Sequence, residues 1–406
     1  MKSTGRSRPP RATLLFVHAS ADLYGSDITL LQIVSGLERH RFDAVVVVPY
    51  EGPLVPRLEE AGAEVLVVSD LPVIRRQNLT PAGLLRLAGS LLSVVGLARF
   101  IRRRRVALVH CNTLAVGPVG IAARLVGVPQ VWHVHEIIAG PRAVASTLAT
   151  LSSVLSTIVV ANSRATEAHY RRTRIASSTP VEVILNGADE DRLRGHLGAE
   201  VRSLVGAGAE DVVFTLVGRI NRWKGQPVFL DAAERLAAES EKARFVLAGD
   251  SFAGQEGLTE AVDRRIQSSD VLRGRAIRLP HVSEVGSVYA ASDVVVVPST
   301  EPEPFGLVAV EAMAAGLPVV ASRIGALPEL VEEGRTGLLS DPGEADALLS
   351  AMRELDASPT LRMEMGRRGR ECFERRFRVE RYTSEFNELY GRLLGGLAAT
   401  DHGREG

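Results

Sequence analysis

Short, nearly uninterrupted apolar runs recur along this chain, and between them lie longer stretches in which apolar residues return every three or four positions. The runs are rich in Val, Ile and Leu and predict strands at 12–18, 43–49, 64–69, 106–110, 130–135, 157–162 and 181–185, then at 212–218, 244–249, 276–279, 293–298 and 318–321. Most are continuous rather than alternating, which is the pattern of strands covered by helices on both faces. Strands alternating with helical periodicity predict an α/β fold with parallel sheets, and two such groups predict two Rossmann-like halves. Gly, Asp and Arg displace the periodicity over residues 186–211, so the break falls there. The resulting division is a disordered basic arm at 1–11, a first domain at 12–190, a linker at 191–210, a second domain at 211–375 and a closing helix at 376–397, with 398–406 frayed. No internal repeat or low-complexity tract interrupts it.

Composition narrows the classes. The 406 residues suffice for two domains that each bury a core. The 48 basic and 48 acidic residues cancel, leaving no global attraction for nucleic acid. The two cysteines, Cys111 and Cys372, are far apart and lack metal-ligand spacing, so neither a disulfide framework nor a zinc site is expected. The N-terminal apolar run is short and strand-like, giving no signal peptide and a cytoplasmic expectation.

Doubly wound sheets bind ligands at the carboxyl ends of their strands, so the chemistry is sought in strand-to-helix loops. One strand ends at Gly218 and is followed by Arg219 and Lys224, two cations suited to a diphosphate. A solvated basic loop is the bland alternative. Another strand ends at Pro298 and leads through the acidic turn Ser299–Pro304 into a helix containing Glu311. The turn supplies Glu303, while the backbone N–H groups of Phe305, Gly306 and Leu307 form an anion site at the helix start. Hydroxyl-binding carboxylates at both ends of a phosphate site suit a nucleotide sugar. Taken singly, Glu303 reads equally as a charge favoured by the helix dipole, and Glu311 as a surface residue.

The segments "GRINRWKG", "EPFGLVAVEAMAAGLPVVAS" and "PELVEEGRTGLL" together resemble the retaining glycosyltransferases of family 4, which have the two-domain GT-B fold. The resemblance spans nearly the whole chain and is strongest over 212–340. It implies that Arg219 and Lys224 hold the donor diphosphate, that Glu303 rather than Glu301 contacts the transferred sugar, and that Glu311 takes the ribose hydroxyls. It also implies that His135, in "VWHVHEI", reaches the sugar or the leaving phosphate. His133 lies on the same strand face and is read as capping the strand through backbone hydrogen bonds. The loop Tyr24–Asp27 matches the family's glycine-rich loop, with Gly25 facing the donor, but has one glycine where the family usually has two and an Asp where a Glu is usual. Ser26 and Asp27 read equally as helix caps. Gly218 completes the expected donor set.

No Asp-x-Asp pair is placed at a strand end, so the transfer is expected to need neither metal nor cofactor, the nucleotide sugar being a substrate. The resemblance implies a hexosyltransferase acting with retention on a glycan, glycolipid or polyprenyl-linked acceptor in polysaccharide or cell-envelope synthesis. It also implies a last helix that returns to the first domain. Residues 84–105, apolar and ending in Arg102–Arg105, have two readings. One is a buried crossover helix; the other is an interfacial helix lying on anionic membrane at the inner face of the cell membrane. A nucleotide-sugar epimerase of the same fold and a catalytically idle sugar-nucleotide-binding protein are the alternative functions.

Overall fold

A computed structural model describes residues 11–69, 71, 73, 91–138, 140–175, 177–252, 254–280 and 285–401. Seven parallel strands make the first sheet: β1 (Ala12–Val17), β2 (Phe42–Val48), β3 (Glu64–Val67), β4 (Val106–Cys111), β5 (Gln130–Val134), β6 (Ile158–Ala161) and β7 (Val181–Val183). Their order is β3-β2-β1-β4-β5-β6-β7, so the winding reverses between β1 and β4. Side chains alternate across the sheet: Leu14 and Phe16 enter one core, and Leu15 and Val17 the other. All four are essentially fully buried, which explains why the run is continuous.

The second sheet has β8 (Val212–Val217), β9 (Ala243–Ala248), β10 (Ala276–Leu279), β11 (Val294–Val297), β12 (Val319–Ser322) and β13 (Gly337–Ser340). It is also parallel, in the order β10-β9-β8-β11-β12-β13, and reverses between β8 and β11. Every run selected from the sequence is a strand. The edge strand β13 was not anticipated, because its four residues, GLLS, include only two large apolar side chains.

The chain divides into two units, one comprising residues up to Asn162, Thr166–Ile184 and Tyr382 onward, the other Ser163–Ala165 and Leu185–Arg381. The last helix runs from Val379 to Asp401, beginning later and ending later than the predicted 376–397, and belongs to the first unit from Tyr382 on. Tyr382, Phe386, Leu389 and Tyr390 recur at helical spacing and are buried in the first unit's core. Asn387 fixes its register: its amide nitrogen donates to the Gly36 carbonyl at 2.8 Å, and its oxygen accepts from the Glu38 N–H at 3.0 Å.

The helix Leu91–Arg103 contributes Val94 and Ile101 to the core and leaves Arg102–Arg105 exposed, as a crossover helix does. Arg104 pairs with Glu64. Residues 84–90 of the predicted apolar segment lie outside the described residues, as do 1–10 of the predicted arm. No helix among the described residues is long and apolar enough to cross a membrane.

Phe386 lies against His133, Tyr382 and Tyr390 at ring-centroid distances of 5.0, 5.2 and 5.8 Å. Truncating it removes most of this aromatic contact and opens a cavity. Phe386→Ala is therefore expected to lower the unfolding free energy by about 3–5 kcal/mol in urea titrations, the usual range for a buried aromatic.

Candidate functional site

In the second unit the predicted residues collect where β8 and β11 end side by side, at the winding reversal. The loop after β8 folds against the turn after β11: the Thr300 N–H donates to the Trp223 carbonyl at 2.8 Å. Asn221 shapes the loop from within, its Oδ1 accepting the N–H groups of Trp223 and Lys224 at 3.1 and 2.9 Å. Gly225 completes the approach at φ 78°, where a Cβ would lie 1.9 Å from the Pro298 carbonyl oxygen. Only glycine fits both conditions.

This folding delivers Lys224 Nζ to 2.6 Å from Glu303 Oε1, and the Ser299 hydroxyl donates to the same oxygen at 2.6 Å. Glu303 is 7% exposed, whereas Glu301 is exposed, so the turn's register carries only the later glutamate inward. A buried carboxylate held by an ammonium and a hydroxyl is well solvated by the protein. Arg219 lies in the same loop with its guanidinium carbon 3.5 Å from the centroid of the Phe252 ring, a cation–π contact. Its carbonyl accepts from Gln226 Nε2 at 3.0 Å. Gly218 turns the chain at the strand end, at φ 146°.

The helix predicted from Phe305 instead runs from Leu307 to Ala314, capped by Gly306 at φ 104°. The Phe305 side chain is in the core, edge-to-face with Phe377 at 6.3 Å, so what it can offer a ligand is its backbone, the part the sequence reading assigned to it. The N–H groups of Phe305, Gly306 and Leu307 donate to no described residue, as expected for the first turn of a helix. Glu311 is half-buried on this helix and accepts from the Tyr289 hydroxyl at 2.7 Å. Burial holds its carboxyl above the ordinary range, opposed by the Tyr289 hydrogen bond and by the charges of Arg192 and Lys224.

The first unit has its own polar group where β1 and β4 part. His18, Asn112 and His135 each stand immediately after a buried strand, β1, β4 and β5 respectively. His135 Nε2 lies 3.1 Å from Asn112 Oδ1, Asn112 Nδ2 lies 3.2 Å from His18 Nδ1, and His18 Nε2 lies 2.7 Å from Asp27 Oδ1. Gly25 opens the helix Gly25–Ser35 and is exposed. Asp27 does cap that helix, its Oδ2 accepting the Tyr24 N–H at 2.9 Å, but its other oxygen serves His18. Sequence reasoning missed His18, Asn112, Ser299 and Tyr289. A polar residue ending an apolar strand next to the winding reversal is the signal that would have found the first two.

His133 is not a strand cap. It is fully buried with neither ring nitrogen hydrogen-bonded to any described residue, its ring centroid 3.9 Å from that of His135 and 5.5 Å from that of His110. His110 Nδ1 meets the Tyr390 hydroxyl at 2.8 Å. Burial pushes His110 and His135 down to about 3, assisted for His135 by the neighbouring His18 and His110, and holds His133 well below the ordinary imidazole range. These rings are therefore neutral when folded at neutral pH.

Among the described residues no three His, Cys, Asp or Glu side chains are grouped so as to hold a metal ion. Asp189 and Asp191 have Asp-x-Asp spacing, but Asp189 Oδ1 is engaged by the Asp191 N–H at 3.0 Å, as a turn cap.

The depressed imidazoles set a pH dependence whose sign follows directly. Below an unfolded pKa of about 6.5 the unfolded chain takes up protons that folded His110 and His133 refuse, so stability falls as pH falls from there toward 3. Each contributes up to about 1.4 kcal/mol per pH unit. Urea midpoints should decline from pH 7 to 5, and His133→Phe should reduce that slope.

Comparison with known proteins agrees with this architecture. A family model described as "Glycosyl transferase 4-like domain" matches residues 25–187, and one described as "Glycosyl transferases group 1" matches residues 211–357. The D-inositol 3-phosphate glycosyltransferase of Rhodococcus jostii (strain RHA1) is 30% identical over 384 residues, covering 87% of this chain and 83% of that protein. Anabaena HepE, solved in complex with UDP and glucose, is similar with a TM-score of 0.78 and 26% identity, covering 93% of this chain and 99% of that one. The sucrose-phosphate synthase of Thermosynechococcus elongatus, 21% identical, shares the fold with a TM-score of 0.76 over 95% of this chain and 100% of that one. The matched family is one of glycosyl transferases, which favours the transferase reading over the epimerase and the idle binder. Two parallel-sheet α/β domains of the GT-B type, both family models and an extended relative thus agree that this chain belongs to the group 1, family 4-like glycosyltransferases.

Proposed function

We propose that the chain is a retaining, metal-independent hexosyltransferase that uses a nucleoside diphosphate sugar as donor. The observation that carries this reading is the Lys224–Glu303 pair, 2.6 Å apart and held in the same loop system as Arg219 at the reversal between β8 and β11. Cations, a buried carboxylate and a helix start supply what a phosphorylated sugar requires in one place. The likeness to HepE, solved with UDP and glucose, supports a nucleotide donor.

In this reading Arg219, Lys224 and the N–H groups of Phe305, Gly306 and Leu307 take the diphosphate charge, which grows as the leaving group departs. Two fixed cations and oriented N–H groups replace a divalent ion in that role. Glu303 accepts from hydroxyls of the transferred sugar, and Glu311 accepts from those of the ribose. His135 and Gly25 complete the proposed donor set. The bond from the anomeric carbon to the phosphate oxygen breaks, and a bond to the acceptor oxygen forms on the same face. The acceptor's proton passes to the departing phosphate oxygen. This route needs no carboxylate nucleophile on the opposite face, in contrast to the two-step glycosidase scheme.

Relatives acting on a phosphorylated inositol support a polar, hydroxyl-rich acceptor, with a glycan or lipid-linked carrier of envelope synthesis as the class proposed here. Exposed Arg102–Arg105 would supply the contact with an anionic membrane if that acceptor is lipid-linked.

Arg219→Ala tests the assignment. Loss of one preorganised charge on the leaving group should lower kcat by about 100-fold or more while leaving the urea midpoint close to that of the parent. Turnover as fast as the parent's would refute the diphosphate role. Lys224→Ala is less clean, because it strands Glu303 without its cation and should also destabilise the fold.

A further inference from the structure

The polar chain at the ends of β1, β4 and β5 has a direction. Asn112 Nδ2 lies 3.2 Å from the Ser26 carbonyl oxygen as well as 3.2 Å from His18 Nδ1. A carbonyl oxygen only accepts, so the side-chain amide of Asn112 must have its nitrogen on that side. Its oxygen consequently faces His135 Nε2 at 3.1 Å and can only accept. His135 must then carry its proton on Nε2, leaving the lone pair on Nδ1. On the other side His18 Nδ1 accepts from Asn112, so Nε2 of His18 carries a proton and donates it to Asp27 Oδ1 at 2.7 Å. Asp27 is tied down in turn by the Tyr24 N–H. Every bond in the chain has one donor and one acceptor, and reversing any one of them breaks the next.

We propose that Asp27, His18 and Asn112 are positioning residues that lock His135 in its neutral Nε2–H tautomer, so that it meets the donor as an acceptor of a sugar hydroxyl through Nδ1 and not as a cation on phosphate. This deepens the reading of His135 as a donor-site residue and rests on it. Asp27, His18 and Asn112 are 2%, 2% and 0% exposed, so their pairing cannot be exchanged for water. The surroundings favour the neutral ring: His133 lies tilted against it with ring centroids 3.9 Å apart, and His110 lies beyond it against Tyr390. The carboxylate nearest in sequence, Glu136, is committed to the His135 backbone N–H at 3.0 Å and to Thr113 Oγ1 at 2.5 Å. The assignment selects between the two partners that the sequence left to His135. A phosphate oxygen wants a donor, whereas a sugar hydroxyl can give its hydrogen to Nδ1. An Asp-His pair that orients a further group through a hydrogen bond follows the logic by which buried carboxylates fix histidine tautomers.

The test uses the full-length protein labelled with nitrogen-15 at histidine. Two-bond proton–nitrogen correlations report which ring nitrogen carries hydrogen, and His135→Gln assigns the signal. The expected result is a neutral Nε2–H ring for His135 at every pH from 8 to 5. In Asn112→Ala the ring should become a mixture of the two neutral tautomers. In Asn112→Asp, whose carboxylate accepts from His135 but cannot donate to His18, the ring should take up a second proton at a higher pH than in the parent. UDP release from UDP-glucose should fall at least 10-fold in kcat for Asn112→Ala, with KM changed less than about threefold, since geometry and not gross binding is lost. A parent ring protonated on Nδ1, or an Asn112→Ala spectrum identical to the parent's, overturns the proposal. A His135→Gln protein that releases UDP as fast as the parent overturns instead the donor-site reading of His135, and the tautomer result is read independently of it.

Discussion

A parallel sheet that winds in both directions must reverse once, and at the reversal two adjacent strands send their following loops to opposite faces, leaving a crevice at their carboxyl ends. The rest of this molecule depends on that constraint. Both sheets obey it, between β1 and β4 and between β8 and β11. In each, largely buried strands run up to the reversal and polar side chains gather in the next few residues: His18 and Asn112 in the first unit, Arg219 and Ser299 in the second. The strands provide rigidity because helices cover both of their faces, and the loops provide chemistry because they emerge from the sheet side by side.

Burial beside the strand ends makes these polar groups costly unless they are paired, and the structure pairs them with few exceptions. Glu303 has Lys224 and Ser299; Glu311 has Tyr289; Asp27, His18, Asn112 and His135 satisfy one another in series. Such sets are preorganised, since no partner can turn away without leaving another unsatisfied. Among the described residues His133 is an exception, a buried imidazole with neither ring nitrogen hydrogen-bonded. It behaves as an aromatic wall for His135, at the cost of acid stability.

Much of this was legible in the sequence because the strands are continuous apolar runs and the loops after β8 and β11 carry a distinctive combination of Arg, Lys and two Glu residues. Strand β13 escaped because an edge strand of four residues needs little apolar surface. The pairings escaped for a different reason. Lys224 and Glu303 are 79 positions apart, and His18 and Asn112 are 94 apart, so only the register of the sheets brings them together. The inward packing of the Phe305 side chain was not part of the sequence reading, which concerned its backbone N–H alone.

The central claim, that the second unit's crevice holds a nucleoside diphosphate through Arg219 and Lys224 without a metal, is tested most directly by thermal shift. The purified protein would be melted with UDP-, GDP-, ADP- and dTDP-sugars, each with EDTA and with magnesium, beside Arg219→Ala. A ligand at a hundred times its dissociation constant stabilises by about 2.7 kcal/mol, enough to raise Tm by several degrees. The account predicts that one nucleotide sugar raises Tm equally in EDTA and in magnesium, and that Arg219→Ala loses the shift. A shift seen only with magnesium, or none with any nucleotide sugar, would contradict it.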